Sequence, residues 1–521
     1  MSPELVTLTI EGVQVSVPKG TTILEAAKQA GVLIPHYCYH PGLPVAGVCR
    51  MCLVEVEGAP KLQIGCSATV VAGQVVHVQS DEARKARQGV LEFLLINHPL
   101  DCPICDQAGE CELQDYVFQE GRARTRYTPT FAKRFNPVED FGPDILYVAN
   151  RCILCTRCVR FMEHVADEPV LNVSERGDRA FIGIHPGREL DHAWAGNVVD
   201  LCPVGSLLSK ETLHSARAWE LDKSAGICTG CSQGCNVHLD TRNNVVVRLR
   251  PRVNAAVNRF YMCDHGRHEY RWLNRGDRVE APLVGGVAPL AATDWDHALA
   301  RAAELLRGVS GPLVGVASPG ASTEALFLLK RLLDAKGGRG VFAVRREAGE
   351  RSLAGVPNLA LREERAPNAT AARMLEFEEV ESVEAALRGA AAVVVLDDQL
   401  HGVEAIGAGA VIYLGTTLPA AAREASIVLP ITNVAEEDGT FVNRDGRVQR
   451  YQQAKSGPGM ARPAWWVLAE LLREMGLGEG FAGAAEVFAA LADGESSFDG
   501  LSYPSLGFVG RAVSGEVEMA R

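Results

Sequence analysis

The sequence predicts a multidomain chain, α+β in its first half and α/β in its second, and three observations carry that expectation. Its 521 residues are enough for about three or four domains. All 15 cysteines lie between Cys38 and Cys263, in short-spaced groups, and residues 264–521 have none. Beyond them, short apolar strands alternate with helical patterns, the rhythm of an open α/β arrangement. A hydrophobic fraction of 47% with 22% charged residues excludes a disordered or fibrous chain. Lys+Arg 52 against Asp+Glu 64 leaves a net charge of −12, which argues against a nucleic-acid binder. The opening MSPELVTLTIEG reads as a polar lead into a strand, and no long apolar run follows, so neither a cleavable export signal nor a membrane span is expected. In a reducing compartment, short-spaced cysteines more often bind metal or do redox work than form disulfides.

Residues 5–17, LVTLTIEGVQVSV, alternate apolar and polar about Glu11-Gly12, which predicts a hairpin with one buried face. A short helix follows, with Thr21-Thr22 as N-cap ahead of ILEAAKQAG and Gly31 as its stop. Then comes Cys38-x10-Cys49-x2-Cys52-x13-Cys66, with Gly42 and Gly47 in the first loop. Small residues let such a loop turn backbone N–H groups toward sulfur. Four thiolates after a hairpin and helix suit a [2Fe–2S] cluster on a β-grasp ferredoxin domain; structural zinc also takes four cysteines, usually as two close CxxC pairs.

Residues 83–97, ARKARQGVLEFLLIN, predict a helix buried along one side and ended by Pro99. The next set, His98-x3-Cys102-x2-Cys105-x5-Cys111, has only three cysteines. Imidazole binds iron, so His98 is the natural fourth ligand. The bland alternative is a histidine that caps the last helical carbonyls. Cys152-x2-Cys155-x2-Cys158 is the core of the bacterial ferredoxin run, whose fourth cysteine, normally ligand to a second cluster, is here Met162. The matching half keeps Cys202-Pro203 but has Val198, Ala195 and His192 where three cysteines would stand. Cys202 then completes one [4Fe–4S] site, and the other is left as apolar packing. Last, Cys228-x2-Cys231-x3-Cys235-x27-Cys263 brackets the hairpin-like NVHLDTRNNVVVRLRP, which folds Cys263 back toward the first three; [4Fe–4S] fits this set better than zinc.

GVCRMCLVEVE, HPLDCPICDQAGECELQD, NRCILCTRCVRF and GNVVDLCPVGSLLSK, in this order over residues 1–277, resemble the G-type family of iron–sulfur subunits of bacterial NADH:quinone oxidoreductase, respiratory complex I. The resemblance implies a [2Fe–2S] cluster on Cys38, Cys49, Cys52 and Cys66. It implies a His-ligated [4Fe–4S] cluster on His98, Cys102, Cys105 and Cys111, and a second on Cys152, Cys155, Cys158 and Cys202. The third, on Cys228, Cys231, Cys235 and Cys263, matches an additional cluster of some bacterial members that lies off the main electron path. No catalytic residue is implied. The family relays electrons from the flavin of a partner subunit toward quinone, coupled in the whole complex to proton translocation. Expected partners are the flavin/NADH-binding subunit and downstream iron–sulfur and quinone-site subunits, with no nucleic acid, at the cytoplasmic side of the bacterial inner membrane.

Residues 264–521 resemble the catalytic fold of molybdopterin oxidoreductases, with strands LVGVA, AVVVL and VIYL among helices such as STEALFLLKRLLDAKGG and RPAWWVLAELLREMG. EEDGTFVNRDGRVQ is similar to a segment shared with those enzymes, though Asp445-Gly446 equally makes a plain hairpin turn. With no cysteine to ligate molybdenum, this half is expected to be a shortened scaffold without molybdopterin. The expected domains are 1–82 ([2Fe–2S] ferredoxin-like), 83–122 (His/Cys3 [4Fe–4S]), 123–220 (ferredoxin-like, one [4Fe–4S]), 221–277 ([4Fe–4S], molybdopterin-oxidoreductase type) and 278–521 (α/β scaffold). A molybdenum-dependent formate dehydrogenase would usually keep both ferredoxin clusters and a metal-ligating residue downstream, and an iron hydrogenase needs further cysteines. Gly407-x-Gly409 precedes a strand and is no dinucleotide fingerprint, Trp465-Trp466 read as core or interface, and His36 and His40 flank a set already complete.

Overall fold

Alternation from Leu5 to Pro18 produces the expected antiparallel hairpin, β1 (Leu5–Ile10) against β2 (Val13–Pro18), with Gly12 at φ 79° in its turn. In this computed structural model, residues 4–127, 133, 135–285, 289–397, 399–400, 403–404 and 406–514 are described. The chain forms two compact units, one running to Glu220 and taking in Leu353–Pro357, the other holding Leu221–Ser352 and the residues from Asn358 on.

In the first unit the hairpin joins β3 (Leu53–Val56), β4 (Gln63–Ile64) and β5 (Val75–His77) in a sheet ordered β2-β1-β5-β3-β4, with β1 and β5 parallel. Helix α1 (Ile23–Gln29) is capped by Thr22, whose hydroxyl accepts from Glu25 N, and its Ile23, Leu24, Ala26 and Ala27 enter the core beside Leu8, Ile10 and Val76. Helix α2 (Asp81–Asn97) begins two residues earlier than expected, because Ser80 supplies the N-cap. It is buried along one side as expected: Ala83, Arg87 and Leu91 are buried and Val90 and Leu94 pack against the same core, whereas Phe93, off this stripe, is 78% exposed. The anchor is Arg87, fully buried, which pairs with Glu120 at 2.8 Å and donates to Val78 O at 2.8 Å. Glu120 ends α3 (Glu112–Glu120), so this pair ties α2 to α3. The sheet of β6 (Val138–Asp140), β7 (Ile145–Val148) and β10 (Leu207–Ser209), the hairpin of β8 (Leu171–Ser174) and β9 (Phe181–Ile184), and the helices α4 (Arg157–His164) and α5 (Asn197–Leu201) complete this unit.

The second unit opens with three antiparallel strands, Asp222–Ile227, Asn236–Arg242 and Val245–Pro251. Asn243 and Asn244, both at positive φ, make the tight turn between the last two. An eight-stranded sheet follows, in which six strands from Ile427–Pro430 through Leu313–Val316 to Glu378–Glu379 run parallel. Alternate residues fill two layers: Val394, Leu396, Ile412 and Leu414 pack beneath helices Thr323–Lys336 and Ala464–Glu474, while Val393, Val395, Val411 and Tyr413 join Val383 and Leu387 on the opposite face. Trp465 is buried in the first layer, and Trp466 meets Trp295 edge-on at 5.3 Å. The 436–449 segment forms a hairpin whose acidic residues are structural: Glu436 pairs doubly with Arg278, each contact 2.8 Å, and Glu437 accepts from Thr432 and Tyr451. Among the described residues, no helix is long and apolar enough to cross a membrane.

Candidate metal centres

Cys38, Cys52 and Cys66 are buried and Cys49 half-buried, and their sulfurs gather: Cys38 N donates to Cys49 Sγ at 3.4 Å, the Cys38 thiol interacts with Cys49 and Cys66, and Cys52 with Cys66. Gly47 (φ 64°) and Arg50 (φ 60°) turn the loop left-handed on either side of Cys49. Both flanking histidines are engaged by backbone: His36 Nδ1 donates to Ile34 O at 2.7 Å, and His40 Nδ1 accepts from Gly42 N at 3.1 Å.

His98, the last cap of α2, lines one cavity with Cys102, Cys105 and Cys111. The helical carbonyls that a capping histidine would serve are taken elsewhere, since Lys133 Nζ donates to Leu95 O, Ile96 O and His98 O at 2.7–3.1 Å. Burial, aided by the Lys133 charge, lowers the His98 pKa and keeps the imidazole neutral, the form that ligates metal. Burial pushes the Cys111 thiol up to about 11, against the pull of the Leu113 and Gln114 N–H groups. This is an open cavity, with Cys102 exposed and Leu95 and Phe118 on its rim.

Cys152, Cys155, Cys158 and Cys202 line another cavity with Tyr147, Ile182, Val204 and Leu207. Leu154 (φ 52°) and Thr156 (φ 61°) hold left-handed conformations that wrap the loop, and Leu154 N donates to Cys152 Sγ at 3.4 Å. Cys202 caps α5 and lines this cavity beside the three cysteines of the 152–158 segment. Burial raises Cys155 to about 12, raises Cys158 well above the usual thiol range, and raises Cys202. The three positions of the missing second set behave as core or local structure: Val198 is fully buried, Ala195 is 2% exposed, and His192 Nδ1 accepts from Trp194 N. Met162 is fully buried on α4.

In the second unit, Cys228, Cys231, Cys235 and Cys263 surround a further cavity with Gly230, Gly234 and Gly266. Cys228 and Cys235 sit at facing ends of two paired strands, joined by Cys228 N to Cys235 O at 2.8 Å, and Gly266 N donates to Cys263 Sγ at 3.4 Å. Among the described residues no group of His, Cys, Asp and Glu is arranged to hold a single metal ion. A polynuclear cluster asks instead for sulfurs on several sides of one space, which the three cavities provide. Thiols that burial holds protonated ionise when a metal takes the sulfur, so these donor sets fit iron–sulfur clusters.

Several participants escaped the sequence reading. A Cβ at Gly205 would collide with Cys105 Sγ, and one at Gly266 would lie 2.7 Å from Cys228 Sγ. Arg151, Arg157 and Arg160 are buried among the ligand sets, and their interleaving with cysteines in NRCILCTRCVRF was the available signal. Tyr37, Cys38, Met51, Cys111, Cys155 and Val204 belong to one apolar cluster, so three sets share a dry neighbourhood.

Comparison with known proteins agrees with this layout. Residues 4–81 match the 2Fe-2S iron-sulfur cluster binding domain, 87–126 the NADH-ubiquinone oxidoreductase-G iron-sulfur binding region, and 142–208 the ferredoxin-like domain of NADH-quinone oxidoreductase subunit 3. Residues 222–275 match the molybdopterin oxidoreductase Fe4S4 domain and 408–474 the molybdopterin oxidoreductase model. The chain is 40% identical over 334 residues to the G subunit of NADH-quinone oxidoreductase from Rickettsia conorii, covering 64% of this chain and 49% of that protein. It is 41% identical over 339 residues to the mitochondrial NADH-ubiquinone oxidoreductase 78 kDa subunit of Candida albicans, covering 64% and 47%. The chain thus spans about half the length of the curated relatives it matches. A chain of the NAD+-reducing [NiFe]-hydrogenase crystal structure in the H2-reduced state is 31% identical, with a TM-score of 0.37, over 40% of this chain and 90% of that one. The expected resemblance to the G-type iron–sulfur subunits is therefore shown, as are ferredoxin-like and molybdopterin-oxidoreductase domains of mixed α/β content.

Proposed function

We propose that this chain is the electron-carrying iron–sulfur subunit of an NADH:quinone oxidoreductase, passing electrons from a flavin in a partner subunit toward quinone. The observation that carries this reading is the gathering of each of the four ligand sets, with Cys38, Cys111 and Cys155 from three of them in one apolar cluster. We assign one [2Fe–2S] cluster to Cys38, Cys49, Cys52 and Cys66. Three [4Fe–4S] clusters are assigned to His98 with Cys102, Cys105 and Cys111, to Cys152, Cys155, Cys158 and Cys202, and to Cys228, Cys231, Cys235 and Cys263.

Iron–sulfur clusters supply one-electron storage at potentials set by ligand type, hydrogen bonds to sulfur and burial. The chain's own work is to set those conditions. N–H groups of Leu154 and Gly266 point at ligand sulfurs, and His98 replaces one thiolate by a neutral donor. The hairpin and α1 of residues 1–82 support a β-grasp assignment, and the divisions at 82, 122, 220 and 277 each enclose one ligand set. The exposed Phe118 and Leu95 rimming the His98 cavity suit cover by a neighbouring subunit of the complex, peripheral to the membrane. No catalytic residue and no molybdopterin is assigned.

Metal analysis of the subunit within its purified complex tests this reading. About 14 iron atoms per chain are expected, from one binuclear and three tetranuclear clusters, with matching acid-labile sulfide. Stoichiometric molybdenum or tungsten, or iron sufficient for only one cluster, would overturn it.

A further inference from the structure

Three guanidinium groups are buried among the ligand sets of the first unit, and two of them face carboxylates. Arg151 Nε lies 2.9 Å from Asp101, beside Cys102, and Arg157 Nη1 lies 2.9 Å from Glu112, beside Cys111. Arg160 differs. It is 7% exposed, and its Nη2 donates to Cys38 O and to Cys155 O, the latter at 3.3 Å. Its Nη1 donates to Pro44 O, and its Nε donates to Thr156 Oγ1 at 3.2 Å.

These acceptors satisfy the N–H groups without neutralising the charge, and among the described residues Arg160 has no carboxylate partner. A buried cation is costly unless an anion answers it. The carbonyls it holds, those of Cys38 and Cys155, belong to two different ligand sets, so the anions set to answer this charge are the clusters proposed there. The surroundings screen the charge weakly, because Cys38, Met51 and Cys155 pack in a single apolar cluster.

We propose that Arg160 is a positioning residue shared by two electron-carrying sites, the Cys38/Cys49/Cys52/Cys66 set and the Cys152/Cys155/Cys158/Cys202 set, holding their backbones together and raising both reduction potentials with one buried charge. The inference rests on the reading that both sets carry clusters. Each reduction adds one negative charge to a cluster and is favoured by a fixed cation nearby. Because one guanidinium serves both sites, removing it moves both potentials in the same direction. Among the described residues Arg160 donates no hydrogen bond to the His98 set, so that set is expected to shift less.

The test is a redox titration followed by EPR on the intact complex carrying Arg160→Gln or Arg160→Lys, with iron measured in parallel. Arg160→Gln is expected to lower the midpoints of the binuclear cluster and of the Cys152-set cluster together, by more than that of the His98-set cluster. Arg160→Lys, which keeps the charge, is expected to return both most of the way. Unchanged midpoints in Arg160→Gln, a shift at only one site, or an equal shift in Arg160→Lys would overturn the proposal. Should Arg160→Gln fail to assemble, Arg160→Lys decides alone: both clusters at near wild-type potentials support the charge role, and a lost cluster or displaced midpoint refutes it. Absence of either signal in the wild-type complex would instead refute the cluster assignment.

Discussion

At His98 the proposed assignment replaces one thiolate by an imidazole. Lys133 occupies the carbonyls at the end of α2, so the imidazole is left to the cavity it shares with Cys102, Cys105 and Cys111. Exchange of a neutral donor for a thiolate anion stabilises the oxidised state. His98→Cys is therefore expected to keep a tetranuclear cluster at a lower potential, and His98→Ala to leave it labile. A residue that merely capped the helix would cost on the order of 1 kcal/mol of local stability and leave the EPR signal unchanged in both variants. Gly205 makes a second residue-level case, because it follows Cys202 in sequence yet backs onto Cys105 of a different set. Gly205→Ala should disturb the His98-set signal first and spare the Cys152-set signal. The reverse order in EPR of the complex would refute this placement.

At the scale of elements, the proposed assignment makes α4 and α5 the remains of a two-cluster module. Spacing made Cys202 the partner of Cys152, Cys155 and Cys158, and the three-dimensional arrangement brings these four around one cavity. Met162, Ala195 and Val198, where other ligands would stand, are buried core. Met162→Ala is expected to leave the cluster spectrum intact and cost about 2–5 kcal/mol of stability, as large-to-small core changes do. Cys202→Ser should abolish that spectrum. A normal spectrum in Cys202→Ser with a lost one in Met162→Ala would reverse the pairing. Ligand spacing was legible because cysteines have few other reasons to recur at these intervals, and the hairpins were legible because Glu11-Gly12, Asn243-Asn244 and Asp445-Gly446 force turns. The charged anchor of α2 was not. Its apolar residues spelled the buried stripe, but the Arg87–Glu120 pair inside that stripe is unreadable from periodicity. The arginines among the clusters escaped for a similar reason: charge in a sequence motif reads as surface until the fold shows where the counter-charge lies.

At the scale of the whole molecule, the cysteine-free half supplies a pH test that needs no cluster. Glu324 and Glu437 are buried with neutral partners: Tyr503 OH and Thr440 Oγ1 donate to Glu324 at 2.8 and 3.1 Å, and Thr432 Oγ1 and Tyr451 OH donate to Glu437 at 2.9 and 3.1 Å. Burial is the chief cause that raises Glu324 to about 7 and Glu437 to about 8, and the charge of Glu324 adds to the rise at Glu437. The folded state thus holds protons that unfolded carboxyls, titrating near 4.3, release. Stability from these groups is fully present below about pH 4 and is lost as pH rises through 7 and 8, with a slope near 1.4 kcal/mol per pH unit for each proton retained. Urea unfolding of the full chain should therefore show a midpoint that falls between about pH 5 and pH 8. In Glu324→Gln/Glu437→Gln, whose amides stay neutral, that part of the slope should vanish. If the difference between wild type and the double variant were flat across this range, both carboxylates would be ionised in the fold, and the neutral acidic pair beneath the Gly439–Val442 strand would be wrong.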